Sequence, residues 1–335
     1  MMLGGIVAGH MSVPAVAASV SQHGSAADSA WRLLQEASAL ADRLEREGRV
    51  QAFGEAAHDG LRLLSADDAH AALIWHPGRG WESRLPQGDP RTELLNLYLP
   101  ICSATFARPL TVGHLGQSLD GFIATPSGDS QFVTGGDNLV HVHRMRALCD
   151  AVVVGAGTVA ADDPQLTTRH VPGPSPLRVV LDPGRRLAAG FRVFTDRQAP
   201  TLYICGQSQT PPDDHMGSAD IARIDNGGPV SEATQVLQLL RARGCARVFV
   251  EGGGVTVSTF LEANLLDRLQ IAIAPVFIGD GRPAIRVAPT EHLRDCRRPG
   301  YRVFRMGGDV LFDCELHVRA EPAGGSEPGA VRQII

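Results

Sequence analysis

The chain has 335 residues, 44% of them hydrophobic, and 31 basic against 36 acidic residues give a formal net charge of −5. This length and composition predict a globular protein of about two domains. No block of Lys and Arg stands out and no stretch approaches the ~20 apolar residues of a membrane span, so we expect neither a nucleic-acid surface nor a membrane anchor. The six cysteines lie far apart without a C-x-x-C pair, which argues against zinc or a disulfide framework and favours buried thiols in the cytoplasm.

The first hundred residues predict a small α/β unit. Apolar residues at helical intervals and strand-like runs around a glycine turn indicate its elements. These are a helix, a hairpin and a second helix, at residues 26–49, 71–85 and 90–104. Trp75 and Trp81 in the hairpin either belong to a core or mark a contact surface. We expect residues 1–25 to be flexible and residues 26–107 to form a small domain, whose role the sequence does not state.

Residues 108–319 predict a larger α/β domain of three layers, αβα, with a mixed, mostly parallel central sheet. Strand-like and helical segments alternate here, which is typical of a sheet covered by helices on both faces. The last two strands are separated only by the turn at 307–309, which requires an antiparallel C-terminal hairpin at one edge. Helical spacing extends over residues 257–269, before a strand. Residues 320–335 are rich in Pro, Gly and Ser, and we expect a disordered tail.

A carboxylate and three consecutive glycines, Glu251 to Gly254, stand between the strand-like run R-V-F-V and a helical pattern. Glycines let a diphosphate approach the backbone, and the first free N–H groups of a helix attract an anion. A flexible turn is the other interpretation of three glycines.

A second glycine-containing turn follows the strand that ends at Val154. Gly155 and Gly157 resemble half of a dinucleotide fingerprint, but Ala160 stands where the third glycine is expected. A standard Rossmann site is therefore disfavoured, although Thr158 and the glycine amides remain able to hold a phosphate or a ribose.

Charged residues cluster in the loop that follows this turn. Asp162 and Asp163 are adjacent, so their side chains diverge, and ribose or amide hydrogen bonds are favoured over a metal. Arg169 in the same loop, together with Arg146 and Arg144 on the preceding helix, predicts a cationic pocket suited to phosphate. A solvated helix face explains Arg144 equally well.

Several segments of the chain match one family in the same order. They are R-P at 108–109, L-G-Q-S-L-D-G at 115–121, G-D-S at 128–130, R-M-R at 144–146, G-T-V-A-A-D-D-P-Q-L-T-T-R at 157–169, V-V-L-D at 179–182 and V-E-G-G-G at 250–254. Over residues 108–318 the chain thus resembles the reductase domain of bacterial riboflavin-biosynthesis enzymes, which has a dihydrofolate-reductase-like fold.

The resemblance implies a homodimeric, NADPH-dependent reductase without a metal. Its substrate would be 5-amino-6-(5-phosphoribosylamino)uracil, whose ribosyl ring opens to a ribityl chain on hydride delivery to C1′. Carried over by position, the implied cofactor contacts are Gly116, Phe132, Thr158, Asp162, Gly253, Gly254, Val255, Thr256 and Val257. The implied substrate contacts are Ser130, Arg146, Leu166, Arg169 and Glu251, with Glu251 at the hydride-transfer centre.

Departures from the family pattern leave the exact substrate open. His114 stands where a lysine is usual, and it either donates a proton near neutral pH or packs beside the pyrimidine. Phe132 replaces a common tryptophan. Residues 1–107 lack the H-x-E and P-C-x-x-C motifs of the zinc deaminase that precedes the reductase in bifunctional members. Alternatives are a reductase of another pyrimidine or pteridine, and a nucleotide-binding module without turnover that offers Trp75 and Trp81 to a partner.

Overall fold

The computed structural model describes residues 23–56, 60–65, 67–131, 133–209 and 215–319. The expected disordered tail lies outside these residues, as does the expected flexible N-terminus up to residue 22. None of the helices in the described residues is long and apolar enough to cross a membrane.

The N-terminal unit is a four-stranded antiparallel sheet with one helix before it and one after it. In chain order its elements are α1 (His23–Glu47), β1 (Gln51–Glu55), β2 (Leu61–Leu64), β3 (Leu73–His76), β4 (Gly80–Ser83) and α2 (Thr92–Cys102). Both predicted helices and the predicted hairpin, β3 with β4, are confirmed. Strands β1 and β2 were not predicted, because their short, polar-interrupted sequences carry no clear period of two.

The hairpin tryptophans belong to the core of this unit. Trp75 is 0% exposed and Trp81 is 9% exposed. Their rings meet edge to face with centroids 5.2 Å apart, and the indole N–H of Trp81 donates to the carbonyl of Ala37 at 3.0 Å. The interpretation of these two side chains as a contact surface is therefore wrong.

The second part of the chain builds the large sheet. Its elements are β5 (Leu110–Ser118), β6 (Phe122–Ala124), α3 (Gly136–Leu148), β7 (Ala151–Gly155), α4 (Ala156–Asp162), β8 (Leu177–Leu181), α5 (Arg192–Thr195), β9 (Thr201–Gly206), β10 (Asp220–Ile224), α6 (Pro229–Ala242), β11 (Arg247–Glu251), α7 (Gly254–Glu262), β12 (Arg268–Ala274), β13 (Arg282–Pro283), β14 (Pro299–Met306) and β15 (Asp309–Arg319). The strand order in the described sheet is β10-β9-β8-β7-β11-β5-β12-β15-β14.

This sheet is mixed and mostly parallel, as predicted. In this spatial order, every neighbouring pair of strands from β10 through β12 is parallel. Strand β15 is antiparallel to both β12 and β14. A tight turn at Gly307, whose φ is +60°, closes the β14–β15 hairpin. The predicted antiparallel hairpin at one edge is confirmed.

The predicted helix over residues 257–269 is wrong at its end. Helix α7 stops at Glu262, and Asn264 adopts a left-handed φ of +55° that breaks the helical path. Leu269 lies in strand β12 instead. Its apolar neighbours continue the helical spacing by coincidence, since a short buried strand cannot be distinguished from a helix by periodicity alone.

Alternate residues of the central strands feed two separate cores. Val153 and Val250 pack on the face covered by α6 and α7, whereas Val152, Val154 and Phe249 point to the opposite face. That opposite face is covered by α3 and then by the N-terminal unit, whose buried side chains belong to the same hydrophobic cluster.

Polar contacts also join the N-terminal unit to α3 and to the sheet. The Tyr98 hydroxyl lies 2.6 Å from Nδ1 of His141, and the Arg247 guanidinium donates to the carbonyl of Ser38 at 3.2 Å. The Arg144 guanidinium lies over the rings of Trp31 and Tyr98, at 5.7 and 5.9 Å from their centroids. Arg144 thus faces the N-terminal unit, so neither the cationic pocket nor the solvated helix face describes it.

We predict that the two parts of the chain unfold in one transition. Leu34 of α1 is 0% exposed in the shared core, so Leu34→Ala should lower the free energy of unfolding by about 2–5 kcal/mol. Urea unfolding is followed by tryptophan fluorescence, which reports on the N-terminal unit because Trp31, Trp75 and Trp81 all lie there, and by far-UV circular dichroism.

The two signals should coincide in the wild type and move together in the variant. Leu63→Ala, at a leucine that is 59% exposed, is the control and should change the midpoint little. A fluorescence transition separate from the dichroism transition would contradict the shared core.

Candidate active site

A cleft of about 790 Å³ opens beyond the carboxyl ends of the parallel strands β5, β7, β8 and β11. Ligands of open α/β sheets bind at this edge, because the strand ends and the following helix N-termini converge there. Many of the residues predicted from the sequence line the cleft. They are Gly116, Ser130, Thr158, Asp162, Leu166, Glu251, Gly253, Gly254, Val255 and Thr256.

The glycine run forms a tight turn between β11 and the first residues of α7. Gly252 and Gly253 have φ values of +67° and +56°, a region that side chains rarely adopt. A Cβ on Gly253 would lie 2.7 Å from the Thr158 hydroxyl, and one on Gly254 would collide with the carbonyl oxygen of Ala284. Glycine is therefore required here, and the first N–H groups of the nine-residue helix α7 are left for a ligand.

Arg146 and Glu251 form a bidentate ion pair at the floor of the cleft. The Arg146 Nε and Nη2 donate to the two carboxylate oxygens of Glu251 at 2.7 and 2.5 Å. The third nitrogen, Nη1, donates to the carbonyl of Thr167 at 3.0 Å. The two side chains are only 8% and 15% exposed, so this is a largely desolvated pair of fixed geometry. Arg146 thereby joins α3 to strand β11 and to the loop after α4.

The loop after α4 presents the remaining predicted substrate residues. Leu166 adopts a left-handed φ of +57° and is 1% exposed, so packing holds it in a conformation that its sequence disfavours. The Arg169 side chain is exposed, and its Nη1 donates to the Thr167 hydroxyl at 2.7 Å. Desolvation, together with the positive charges of Arg146 and Arg192, lowers the pKa of Arg169 from its usual value. The charge of Arg146 thus acts on Arg169, but Arg146 is itself paired with Glu251, and neither arginine is among the residues that line the cleft.

The two adjacent aspartates of this loop diverge as predicted. Asp162 faces the cleft, where it accepts a long hydrogen bond of 3.5 Å from the Ser130 hydroxyl. Asp163 points away and pairs with Arg192, whose Nε lies 3.1 Å from one carboxylate oxygen. Ser130 and Asp162 therefore approach each other across the cleft.

The structure does not bring His114 into the cleft. Its side chain is 3% exposed and lies beside Glu251, its partner on the neighbouring strand, with the rings of His141 and Phe249 at centroid distances of 5.1 and 6.3 Å. Burial lowers the pKa of His114 to about 4, against the smaller opposing effects of Glu251 and Asn138. The ring is therefore neutral near pH 7, which disfavours the role of proton donor and favours a packing role.

Phe132 and Val257 are the two remaining cofactor residues that the sequence predicted. Phe132 lies outside the described residues. The side chain of Val257 is 0% exposed and packs in the core beneath α7, so only its backbone belongs with the glycine turn.

Sequence reasoning missed four charged side chains that line the cleft. They are Arg186, Glu232, Arg282 and Arg286, the last two on either side of the segment that packs against Gly254. Arg186 lies in the turn after the carboxyl end of β8, so the rule that ligands gather at strand ends would have found it. The two later arginines lie in irregular sequence around β13, where no periodic signal exists.

Comparison with known proteins identifies the family of the chain. The family model described as the RibD C-terminal domain matches residues 111–298. The chain belongs to the RibD C-terminal domain family. This membership covers both the glycine turn and the loop that carries Arg169.

Curated relatives in this family have related names. The chain is 32% identical over 216 residues to the 2,5-diamino-6-ribosylamino-4(3H)-pyrimidinone 5′-phosphate reductase of Methanothermobacter thermautotrophicus, which covers 62% of this chain and 97% of that protein. It is 34% identical over 205 residues to the reductase of the same name from Archaeoglobus fulgidus, covering 57% and 91% of the two chains. Against the riboflavin biosynthesis protein RibD of Aquifex aeolicus the identity is 32%, over 53% of this chain and 49% of that protein.

A solved structure of the RibD family has the same fold. The Thermotoga maritima diaminohydroxyphosphoribosylaminopyrimidine deaminase/5-amino-6-(5-phosphoribosylamino)uracil reductase matches with a TM-score of 0.55 and 26% identity. The match covers 68% of this chain and 63% of the Thermotoga chain. This match supports the predicted α/β fold with its mixed, mostly parallel sheet.

We predict that His114 makes the protein less stable to acid. An unfolded histidine gains a proton near pH 6.5, whereas the folded ring gains it only near pH 4. Between these values the unfolded state binds more protons, so stability is lost as the pH falls from about 6.5 to 4. His114→Leu should make the free energy of unfolding decline less over this range, by up to about 3 kcal/mol.

Urea unfolding at a series of pH values measures this difference. Equal pH dependence in the wild type and in His114→Leu would contradict a neutral buried ring.

Proposed function

We propose that the chain is an NADPH-dependent reductase in riboflavin biosynthesis, which transfers hydride to C1′ of the ribosylamino group of a phosphorylated pyrimidine. One observation carries the proposal: the glycine turn of α7, Glu251 and Leu166 of the arginine-bearing loop line the same cleft. The glycine turn suits a cofactor diphosphate, and Arg169, on the same loop as Leu166, suits a substrate phosphate.

The residues at the glycine turn fit NADPH. Left-handed glycines and the free N–H groups at the start of α7 form a cradle that a Cβ would fill, which is what a diphosphate requires. NADPH, when bound, supplies the hydride. We assign the contacts with it to the cradle and to neighbouring residues of the same edge. These are Gly116, Thr158, Asp162, Gly253, Gly254, Val255, Thr256 and the backbone of Val257. We also propose Phe132 as a cofactor contact, which rests on the family resemblance alone.

On the substrate side, Arg169 is the natural partner of the 5′-phosphate. Its side chain is exposed, whereas Arg146 is already engaged on three sides. Leu166, on the same loop as Arg169, lines the cleft together with Ser130. Because Arg146 binds both oxygens of Glu251, the carboxylate is held in one orientation and offers its remaining lone pairs to the ribose or the pyrimidine.

His114 contributes to this arrangement as a neutral packing residue. It is buried beside Glu251 on the neighbouring strand and its ring is neutral near pH 7, so we assign it no proton transfer.

The alternative of a nucleotide-binding module without turnover loses its motivation. It depended on Trp75 and Trp81 as a partner surface, and both are buried. A reductase of a different pyrimidine or pteridine keeps the same cleft and becomes an outcome of the assay.

We further propose that the protein works as a homodimer in the cytoplasm. Strand β14 lies at the edge of the large sheet, and Tyr301 on it is 61% exposed. Phe277, which follows β12 in the chain, is 76% exposed. A second subunit that packs on this edge would bury such apolar side chains. Buried thiols such as Cys102 and Cys149 suit a reducing compartment. Sedimentation of a monomer only, at micromolar concentration, would refute the dimer.

We predict that purified protein oxidises NADPH when a phosphoribosylaminopyrimidine is added. Absorbance at about 340 nm reports the loss of the reduced nicotinamide. The assay runs the diaminopyrimidinone and the aminouracil nucleotides in parallel, since relatives are named for each. No turnover with either would reject the proposed function, and turnover with another pyrimidine or a pteridine alone would support the alternative.

Arg169→Ala should raise KM for the phosphorylated substrate about 10- to 100-fold, because a hydrogen bond to a charged group contributes roughly 1.5–3 kcal/mol. KM for NADPH should change little. Arg294→Ala, at an arginine whose side chain is 80% exposed, is the matched control and should leave both constants as they are. Equal losses for substrate and NADPH would contradict the phosphate role of Arg169.

A further inference from the structure

The long helix α1 of the N-terminal unit contacts the loop that carries Arg169. The indole N–H of Trp31 donates to the carbonyl oxygen of Pro172 at 2.9 Å, and the Gln35 amide donates to the same oxygen at 3.0 Å. One carbonyl with two lone pairs thus accepts both bonds. The contact joins residues about 140 positions apart in sequence.

The next residue packs against both helices. Gly173 has a φ of +145°, and a Cβ there would lie 2.7 Å from Cβ of Ala147 on α3 and 3.1 Å from the Gln35 amide nitrogen. No side chain fits in this space. The tip of the loop is therefore wedged between α1 and α3 at a fixed distance from each.

The wedge is connected rigidly to the residues that face the cleft. Pro172, Pro174 and Pro176 fix their φ angles and lack N–H groups, so the tip has little freedom of its own. Thr168 joins the two limbs of the loop, since its N–H donates to the Ser175 hydroxyl at 3.1 Å and its hydroxyl donates to the Pro174 carbonyl at 2.9 Å.

Helix α3 holds the other side of the loop through His143. The backbone N–H of Arg169 donates to Nδ1 of His143 at 2.9 Å. Burial lowers the pKa of His143 to about 3, which keeps the ring neutral and able to accept this bond near pH 7. The Arg169 backbone therefore lies between an anchor on α3 and the tip held by α1.

We propose that Trp31 and Gln35 are positioning residues of the active site, which fix the Pro172 carbonyl and thereby hold in place the loop that carries Arg169 and the cleft-lining Leu166. The identity of the ligand in this role rests on the proposed function, whereas the contacts of Trp31 and Gln35 with Pro172 do not depend on it. Residues 26–107 thereby acquire a role in the site, because the N-terminal unit is the outer wall that orders the substrate loop.

A role for α1 in the core alone is the competing account, and a matched pair of variants separates the two. The double variant Trp31→Phe/Gln35→Leu removes both donors and keeps apolar volume against the core and Arg144. Trp81→Phe is the control, because it removes the same kind of bond, an indole N–H to the Ala37 carbonyl, inside the same unit and away from the loop. The single variant Gln35→Leu, at a half-buried position, is the milder alternative if the double variant folds poorly.

Amide hydrogen exchange provides a readout that does not depend on turnover. We expect faster exchange in residues 167–175 of the double variant, and in Gln35→Leu to a smaller degree, with the wild-type rate in Trp81→Phe. KM for the phosphorylated substrate should rise about three- to tenfold in the double variant, while KM for NADPH stays unchanged.

Unchanged exchange in both loop variants, or an equal change in Trp81→Phe, would overturn the positioning role. Faster exchange without any rise in KM would overturn it as well. If the wild type turns over no pyrimidine nucleotide, the proposed function fails, and the exchange comparison still decides whether α1 orders the loop.

Discussion

The ion pair between Arg146 and Glu251 is the constraint on which the candidate site depends. One guanidinium binds the carboxylate at the end of β11 and the carbonyl of Thr167, so helix, strand end and substrate loop are held at fixed distances. Because the pair is largely desolvated, losing either partner would leave a buried charge uncompensated, typically at a cost of about 3–5 kcal/mol. Such a site is ordered before any ligand arrives, which favours alignment of reacting groups over induced fit.

The two ends of the cleft are built by different means. At the α7 end, glycines expose backbone N–H groups to an anion, and Arg282 and Arg286 line the cleft beside them. At the loop end, Arg169 supplies a full charge on a segment with strained backbone at Leu166, which hydrogen bonds to α3 and within the loop hold in place. Helix α1 of the N-terminal unit adds a contact from outside the large sheet at Pro172.

The sequence predicted those parts of the fold that local pattern determines. Runs of β-branched residues identified β7 and β11, and the short turn at Gly307 required an antiparallel hairpin. The end of α7 was mispredicted, because a left-handed turn at Asn264 has no periodic signal. Motifs named many of the residues that line the cleft, yet they carry no information about contacts across the fold. The Arg146–Glu251 pairing, the burial of His114 and the Trp31–Pro172 bond arise only when distant segments pack together.

The central claim is that one cleft holds the cofactor diphosphate at the glycine turn and faces the reactive part of the cofactor toward Glu251. A crystal structure of the protein with NADPH bound tests this most directly. We predict that the diphosphate oxygens lie within about 3.2 Å of backbone nitrogens between Gly253 and Thr256, with the nicotinamide on the Glu251 side and the Arg146–Glu251 pair intact. A diphosphate bound elsewhere, or a nicotinamide turned away from Glu251, would contradict the account.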